Sequence, residues 1–290
     1  MTKEKKYSKR KQQVKRQLLL IAAVTVLVTG SLGIYILPSS SESRETAGAV
    51  EETADKEGAL QKAEQEIREE TPQERLARVK ETAIERGYPQ GVIELLDKNA
   101  ETVEFVENYN EKKNSVPAKT IGTDLKAGQI PELIQWDERW GYAPYGTSIV
   151  AVSGCGPTCL AMVAGGLTGD SSITPASVAD YGTKNGYVDE ENNTYWKLMS
   201  EGCSAFGLSC YEGEINKASV IGELQAGHPI ICSVGPGDFT DKGHFIVLAG
   251  CEGGKIKVND PFSVVNTQKL WDFERLEGQI KGLWVFSLKQ

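Results

Sequence analysis

Residues 18–37 (LLLIAAVTVLVTGSLGIYIL) carry no charged side chain, and Pro38 closes the run. A bilayer core needs about 20 predominantly apolar residues in a helix, so this stretch is long enough to span one. Residues 1–17 in front of it hold eight Lys or Arg against the single acid Glu4. Such a cationic flank keeps the N-terminus cytoplasmic and sends everything beyond Pro38 outside. A cleaved signal peptide is the competing reading. Its apolar region is usually shorter, about 7–15 residues, and is followed by a small-x-small site. Here the nearest Ala-Gly-Ala, Ala47 to Ala49, lies about ten residues beyond the run. The expectation is a cytoplasmic segment at 1–17 and a retained single-span helix at 18–38. The C-terminal part then stands outside the membrane, secreted if the helix is cleaved off.

The remaining charge is unevenly spread. The net value is −8, yet residues 41–70 alone hold ten Asp or Glu against four basic residues. No basic patch lies beyond the N-terminus, so the pattern gives no reason to expect a nucleic-acid partner. Residues 39–70 begin Ser-Ser-Ser-Glu-Ser, are rich in Glu and Ala, and lack aromatics. They cannot bury enough surface to fold and read as an acidic flexible tether.

A small helical segment is expected at 71–115. Thr71-Pro72-Gln73-Glu74 is a helix start with Pro at the first helical position. Leu76, Val79, Ala83 and Ile84 then recur at helical spacing. Gly87-Tyr88-Pro89 breaks the pattern. A second helix carries Val92, Leu95 and Leu96. After the break at Asn99, a third carries Val103, Phe105, Val106 and Tyr109. This segment is too small to stand alone comfortably and should dock on the larger domain C-terminal to it.

From residue 130 to 290 short β-type runs dominate: Pro229–Val234, Phe245–Ala249, Lys255–Val258 and Leu283–Leu288. A helix is expected at Thr158–Gly166. Helices first, then strands separated by short turns, predict an α+β domain with an antiparallel sheet.

Ser153-Gly154-Cys155-Gly156-Pro157-Thr158 carries the strongest local signal. Flanking glycines allow close backbone approach, and Pro157 suits the first turn of a helix. Cys155 therefore sits at a helix N-terminus, where the positive end of the dipole lowers a thiol pKa. A thiolate attacks carbonyls, so the placement suits nucleophilic catalysis. The other five cysteines read as structural. Cys203 and Cys210, in a Gly/Ser-rich stretch, are the nearest pair for a disulfide, although spacing alone does not decide pairing. Neither Cys-x-x-Cys nor Cys/His clustering suggests a metal, and the chemistry needs no cofactor.

The chain has two histidines, His228 and His244, so a Cys–His enzyme must use one of them. His228, in Ala-Gly-His-Pro, reads as an exposed turn residue. His244 opens the run Phe-Ile-Val-Leu-Ala, at the mouth of a central strand. That run, the Glu-Gly-Gly turn and Lys255–Asp260 form a β-hairpin. The hairpin sets Asn259, Asp260 or Pro261 opposite His244, so Asp260 or Asn259 can fix the imidazole.

Several motifs now fall together. They are Gln135-Trp136-Asp137, Arg139-Trp140-Gly141, Pro144-Tyr145-Gly146, Gly154-Cys155-Gly156-Pro157-Thr158, Ala161-Met162-Val163, Leu167-Thr168-Gly169, Gly243-His244-Phe245-Ile246-Val247-Leu248 and Val258-Asn259-Asp260-Pro261. In this order they resemble the free-standing relatives, known from Gram-positive bacteria, of the peptidases that remove double-glycine leaders from bacteriocins. The resemblance covers about residues 130–290 and implies a papain-like cysteine peptidase. It implies Cys155 as nucleophile, His244 as general base and acid, Asp260 as orienter, and Gln135 as an oxyanion donor beside the Cys155 backbone N–H. The transporter-linked members place that glutamine a few residues before the cysteine. Here residues 147–153 hold none, and Gln135 stands twenty positions before Cys155. The expected partner is a peptide or protein substrate. Cell-wall stem peptides, cut by an amidase or endopeptidase of the same thiol chemistry, are an alternative, and so is a catalytically silent binding module.

Overall fold

The structure, a computed structural model, describes residues 70–290. The segments expected at 1–17 and 18–38, and the tether up to Glu69, lie outside the described residues. Among the described residues no helix is long and apolar enough to cross a membrane.

Helix α1 (Pro72–Glu85) starts at a reciprocal cap. Thr71 Oγ1 accepts from the Glu74 N–H at 3.2 Å, and the Glu74 carboxylate accepts from the Thr71 N–H at 2.8 Å. Val79 and Ala83 are buried, whereas Ile84, expected on the same face, is 58 % exposed. One residue past Ala83 is a turn of about 100° around the helix, which carries Ile84 into solvent. Gly87, at φ 63°, makes the reversal into α2 (Gln90–Lys98), after which come α3 (Val103–Glu107) and α4 (Tyr109–Lys112). The apolar faces of α1 to α3 share a core with Tyr142 and Ala151, against which Trp136, Val152 and Phe262 also rest. Phe105 stacks on Tyr142 with ring centroids 4.2 Å apart. Gly141 makes room for it, since a Cβ there would fall 2.7 Å from the Phe105 ring. The helices thus complete their core on the rest of the unit Glu70–Gln290.

A small hairpin, β1 (Pro144–Tyr145) and β2 (Ser148–Ile149), leads into α5 (Val150–Ser153) and the central α6 (Cys155–Thr168). Every residue from Gly156 to Gly165 is buried. A helix apolar on all sides belongs inside the protein. Helices α7 (Pro175–Lys184) and α8 (Lys197–Ser200) come next. The chain then lays down β3 (Leu208–Glu212), α9 (Lys217–Gln225), β4 (Ile230–Val234), β5 (His244–Glu252), β6 (Lys255–Asn259), α10 (Val264–Thr267), β7 (Leu270–Trp271), α11 (Phe273–Leu276) and β8 (Ile280–Leu288). The six-stranded sheet runs in the order β3-β8-β4-β5-β6-β7, with every pairing antiparallel.

Alternation along the strands gives the sheet two buried faces. Ile231, Phe245, Val247, Trp284 and Phe286 meet the α6 side, and Ile230, Cys232, Ile246, Leu248 and Val285 meet α9 and α11. The mixed helix-and-antiparallel-sheet layout fits the α+β expectation. One local reading changes. The stretch around Cys203 and Cys210 contains edge strand β3, hard to read because only Leu208 on it is buried. All six cysteines are free, and the Cys203 and Cys210 sulfurs stand 3.7 Å apart, unbridged.

Candidate active site

Cys155 is the first residue of α6, with Gly154 as its cap. The His244 imidazole and the backbone of Phe245 and Gly156 lie close enough to the thiol to lower its pKa. Helix α6 rests on the start of β5, so the helix delivers the thiol and the strand delivers the imidazole. His244 Nε2 lies 2.8 Å from Asp260 Oδ1, which leaves Nδ1 to face the sulfur. His244 is 9 % and Asp260 1 % exposed, so water competes little for this pair.

The route by which Asp260 reaches His244 differs from a facing pair. Glu252 pairs with Lys255, but Val247 pairs with Asn259, because the register shifts between Leu248 and Gly250. Continued past Asn259, that register sets Asp260 opposite Ile246. Asp260 is therefore a diagonal neighbour of His244, still within reach of a ring. Asn259 turns away, donating through Nδ2 to the carbonyls of Ile130 and Pro131. His228 lies elsewhere, with Nδ1 2.8 Å from Glu223 Oε2.

Electrostatics separate the groups. Burial alone would raise the Cys155 pKa, but the hydrogen bond and charge of His244 outweigh it, and the thiol is lowered. Burial would likewise depress His244, but Asp260 and the Cys155 thiolate reverse this and push it up to about 10. Asp260 would be raised by burial, yet His244, Asn266 and the Phe262 N–H hold it below its ordinary value. The arrangement favours a thiolate–imidazolium pair backed by a carboxylate. Cys159, one turn along α6, has no such partner, and burial lifts it well above an ordinary thiol.

Gln135, distant in sequence, is brought alongside. Its backbone N–H donates to Pro261 O, and its Nε2 donates to Ala151 O, both at 2.8 Å. Ala151 lies on α5, four residues before Cys155. The amide is buried, with one of its two hydrogens committed to Ala151 and Oε1 unpartnered.

Sequence reasoning missed the groups that hold Asp260. Asn266 Nδ2 donates to Oδ2 at 2.9 Å, and the Phe262 N–H donates to Oδ1 at 2.9 Å. The Phe262 carbonyl accepts from Trp136 Nε1 at 2.8 Å and from Asn99 Nδ2 at 2.7 Å. Glu101 accepts from the Val264 N–H at 3.0 Å. The helical segment thus braces the loop behind the histidine. The Asp-Pro-Phe-Ser turn after β6 was the available sign that this loop is specially held.

A cysteine on a helix N-terminus, set against histidine and aspartate from an antiparallel sheet, fits the papain-like class of cysteine peptidases. The family model described as the Peptidase_C39 like family matches residues 129–285, more than half of the chain, and the chain belongs to that family. No curated protein matches the chain. Membership points to a peptidase of the cysteine type acting on a peptide or protein.

Proposed function

We propose that this protein is a membrane-anchored cysteine peptidase whose domain works outside the membrane, with Cys155, His244 and Asp260 as its catalytic triad. The observation that carries the reading is the buried 2.8 Å His244–Asp260 contact, on a ring electrostatically coupled to the Cys155 thiol. The anchor rests on the cationic block at 1–17 and the uncharged run at 18–37.

In the reaction, the Cys155 thiolate attacks the scissile carbonyl, and a C–S bond forms as the carbonyl becomes an oxyanion. The Cys155 backbone N–H and the second hydrogen of Gln135 Nε2 stabilise that charge. The C–N bond then breaks, and His244 gives its proton to the leaving amine. Neutral His244 takes a proton from water, the hydroxide attacks the thioester, and the C–S bond breaks to restore the thiolate. Asp260 keeps the ring oriented throughout.

Two measurements test this. The full chain in membranes, beside a Cys155→Ala control, is offered unstructured polypeptides and purified peptidoglycan stem peptides. Cys155-dependent new N-termini in the polypeptides are expected. Cleavage confined to stem peptides would reassign the substrate, and no Cys155-dependent cleavage would sink the reading. Protease added to intact cells should digest the domain at 130–290, and full protection would refute the outward orientation. Gln135→Ala should lower kcat by about 10²-fold with little change in KM, as expected for loss of an oxyanion donor. An unchanged kcat would remove Gln135 from the mechanism.

A further inference from the structure

The Asp260 carboxylate is held from behind by the loop that follows it. The Phe262 N–H donates to Oδ1, the oxygen that also meets His244, and Asn266 Nδ2 donates to Oδ2. The Asp260 N–H in turn donates to Thr267 Oγ1 at 2.9 Å. The carboxylate is therefore only as well placed as residues 261–267 are.

That loop is clamped by the helical segment. Between α2 and α3 the chain makes a short turn, Ala100–Thr102, capped by Asn99. Asn99 Oδ1 accepts from the Glu101 N–H at 2.9 Å, which fixes the side chain and directs Nδ2 outward. Nδ2 donates to the Phe262 carbonyl at 2.7 Å and to Glu101 Oε2 at 3.0 Å. The same Oε2 accepts from the Val264 N–H at 3.0 Å. Val264 opens α10, the turn that carries Asn266 and Thr267. Two side chains thus grip the backbone on either side of Ser263, one beside each group that bonds the carboxylate. The Phe262 ring packs against the core of α1 to α3 and stands edge-on to His244, with centroids 6.4 Å apart.

The gripping side chains come from a rigid body. Asn99 follows Val92, Leu95 and Leu96 of α2, and Phe105 and Val106 of α3 lie close behind it, all buried. These helices precede residues 129–285, the part matched by the family model, so the clamp is an addition of this chain to the shared domain. A misplacement of about 1 Å far from the chemistry can lower a rate by about 10²-fold, which makes such a clamp matter to turnover.

We propose that Asn99 and Glu101 are positioning residues for the triad: they hold Phe262 and Val264, and through them aim Asp260 at His244. The helical segment at 71–115 is then part of the catalytic unit and not a spacer between tether and peptidase. This rests on the peptidase reading above. The test uses the full chain with Glu101→Ala, Glu101→Gln and the double variant Asn99→Ala/Glu101→Ala, and with Val79→Ala as a control from α1 in the same core. kcat and KM on an unstructured polypeptide are read across pH beside thermal unfolding. The double variant should lower kcat about tenfold or more, with KM held within about twofold. Its alkaline limb should come down, because a loosened Asp260 supports the His244 imidazolium less. Glu101→Ala should show the same changes in smaller measure. Glu101→Gln, whose amide oxygen still accepts from the Val264 N–H, should restore both kcat and the limb. Val79→Ala should lower the unfolding temperature and leave kcat and the limb where they were. Unchanged kcat and limb in the folded double variant would overturn the clamp, and so would an equal shift in Val79→Ala, the mark of general loosening. Should the double variant not fold, Glu101→Ala set against Glu101→Gln decides in the same way. Alkylation of Cys155 by iodoacetamide follows the same ion pair without a substrate, and the clamp requires it to slow near neutral pH in the alanine variants alone. Absence of any Cys155-dependent cleavage by wild type would overturn the peptidase reading, and the alkylation profile would still decide whether Asn99 and Glu101 aim Asp260.

Discussion

Replacing Cys155 with alanine is expected to bring peptide hydrolysis to background, a loss of about 10⁴-fold or more in kcat/KM, with the fold intact. The loss is large because no other sulfur can substitute. Cys159 is fully buried and its thiol is raised well above the ordinary range, so it supplies almost no thiolate. The fold survives because alanine starts a helix readily and the His244–Asp260 contact does not depend on the sulfur. Thermal unfolding and kinetics on one preparation check both halves. A variant that hydrolyses peptides at the wild-type rate would remove Cys155 from the nucleophile's role. Iodoacetamide at near-neutral pH gives an independent readout: mass spectrometry should find Cys155 alkylated well before Cys159, and equal labelling would contradict the lowered thiol.

How much of this site is readable in the sequence depends on how local each signal is. Cys155 is legible because Gly-Cys-Gly-Pro before an apolar run places a thiol at a helix start without tertiary knowledge. His244 is legible because only two histidines exist and one opens a central strand. Asp260 is within reach of hairpin logic, but the register nearest the turn would set it opposite Val247, and the shift beside Gly250 brings it opposite Ile246, diagonal to His244. A glycine inside a β pattern is the one local sign of such a bulge. Gln135 can be named from the chemistry and the resemblance, yet its position depends on non-local bonds to Pro261 and Ala151. Asn266 gives no local sign, since it serves a carboxylate six residues earlier. The helices at 72–112 are legible as helices. Their role as a brace emerges only through Asn99 and Glu101 meeting the loop at 262–264.

Asp260 carries the second large effect, and pH reveals it. In the folded protein His244 is raised to about 10 from an ordinary 6.5, chiefly because Asp260 and the thiolate overcome its burial. A raised base stabilises the fold fully below its unfolded pKa of about 6.5, and that contribution is lost as pH climbs through the folded value. Asp260 is lowered, so its contribution is present above its ordinary pKa and lost as pH falls through the folded one. The active ion pair thus occupies the range between the lowered Cys155 and the raised His244. kcat/KM should rise with pH as the thiolate forms and decline near pH 10 as the imidazolium is lost. Asp260→Ala removes both charge and acceptor. It should cut kcat/KM by about 10²–10⁴-fold and bring the alkaline limb down by about one pH unit or more. It also strands the donors of Asn266 and Phe262, so unfolding must be measured beside it. Asp260→Asn separates the two contributions. Asparagine keeps an acceptor for Nε2 but no charge, so the alkaline limb should fall as in the alanine variant while much of the rate at neutral pH survives. If both folded variants kept the wild-type limb near pH 10, the imidazolium would owe nothing to Asp260, and the carboxylate would be a buried structural acid beside a working cysteine–histidine pair.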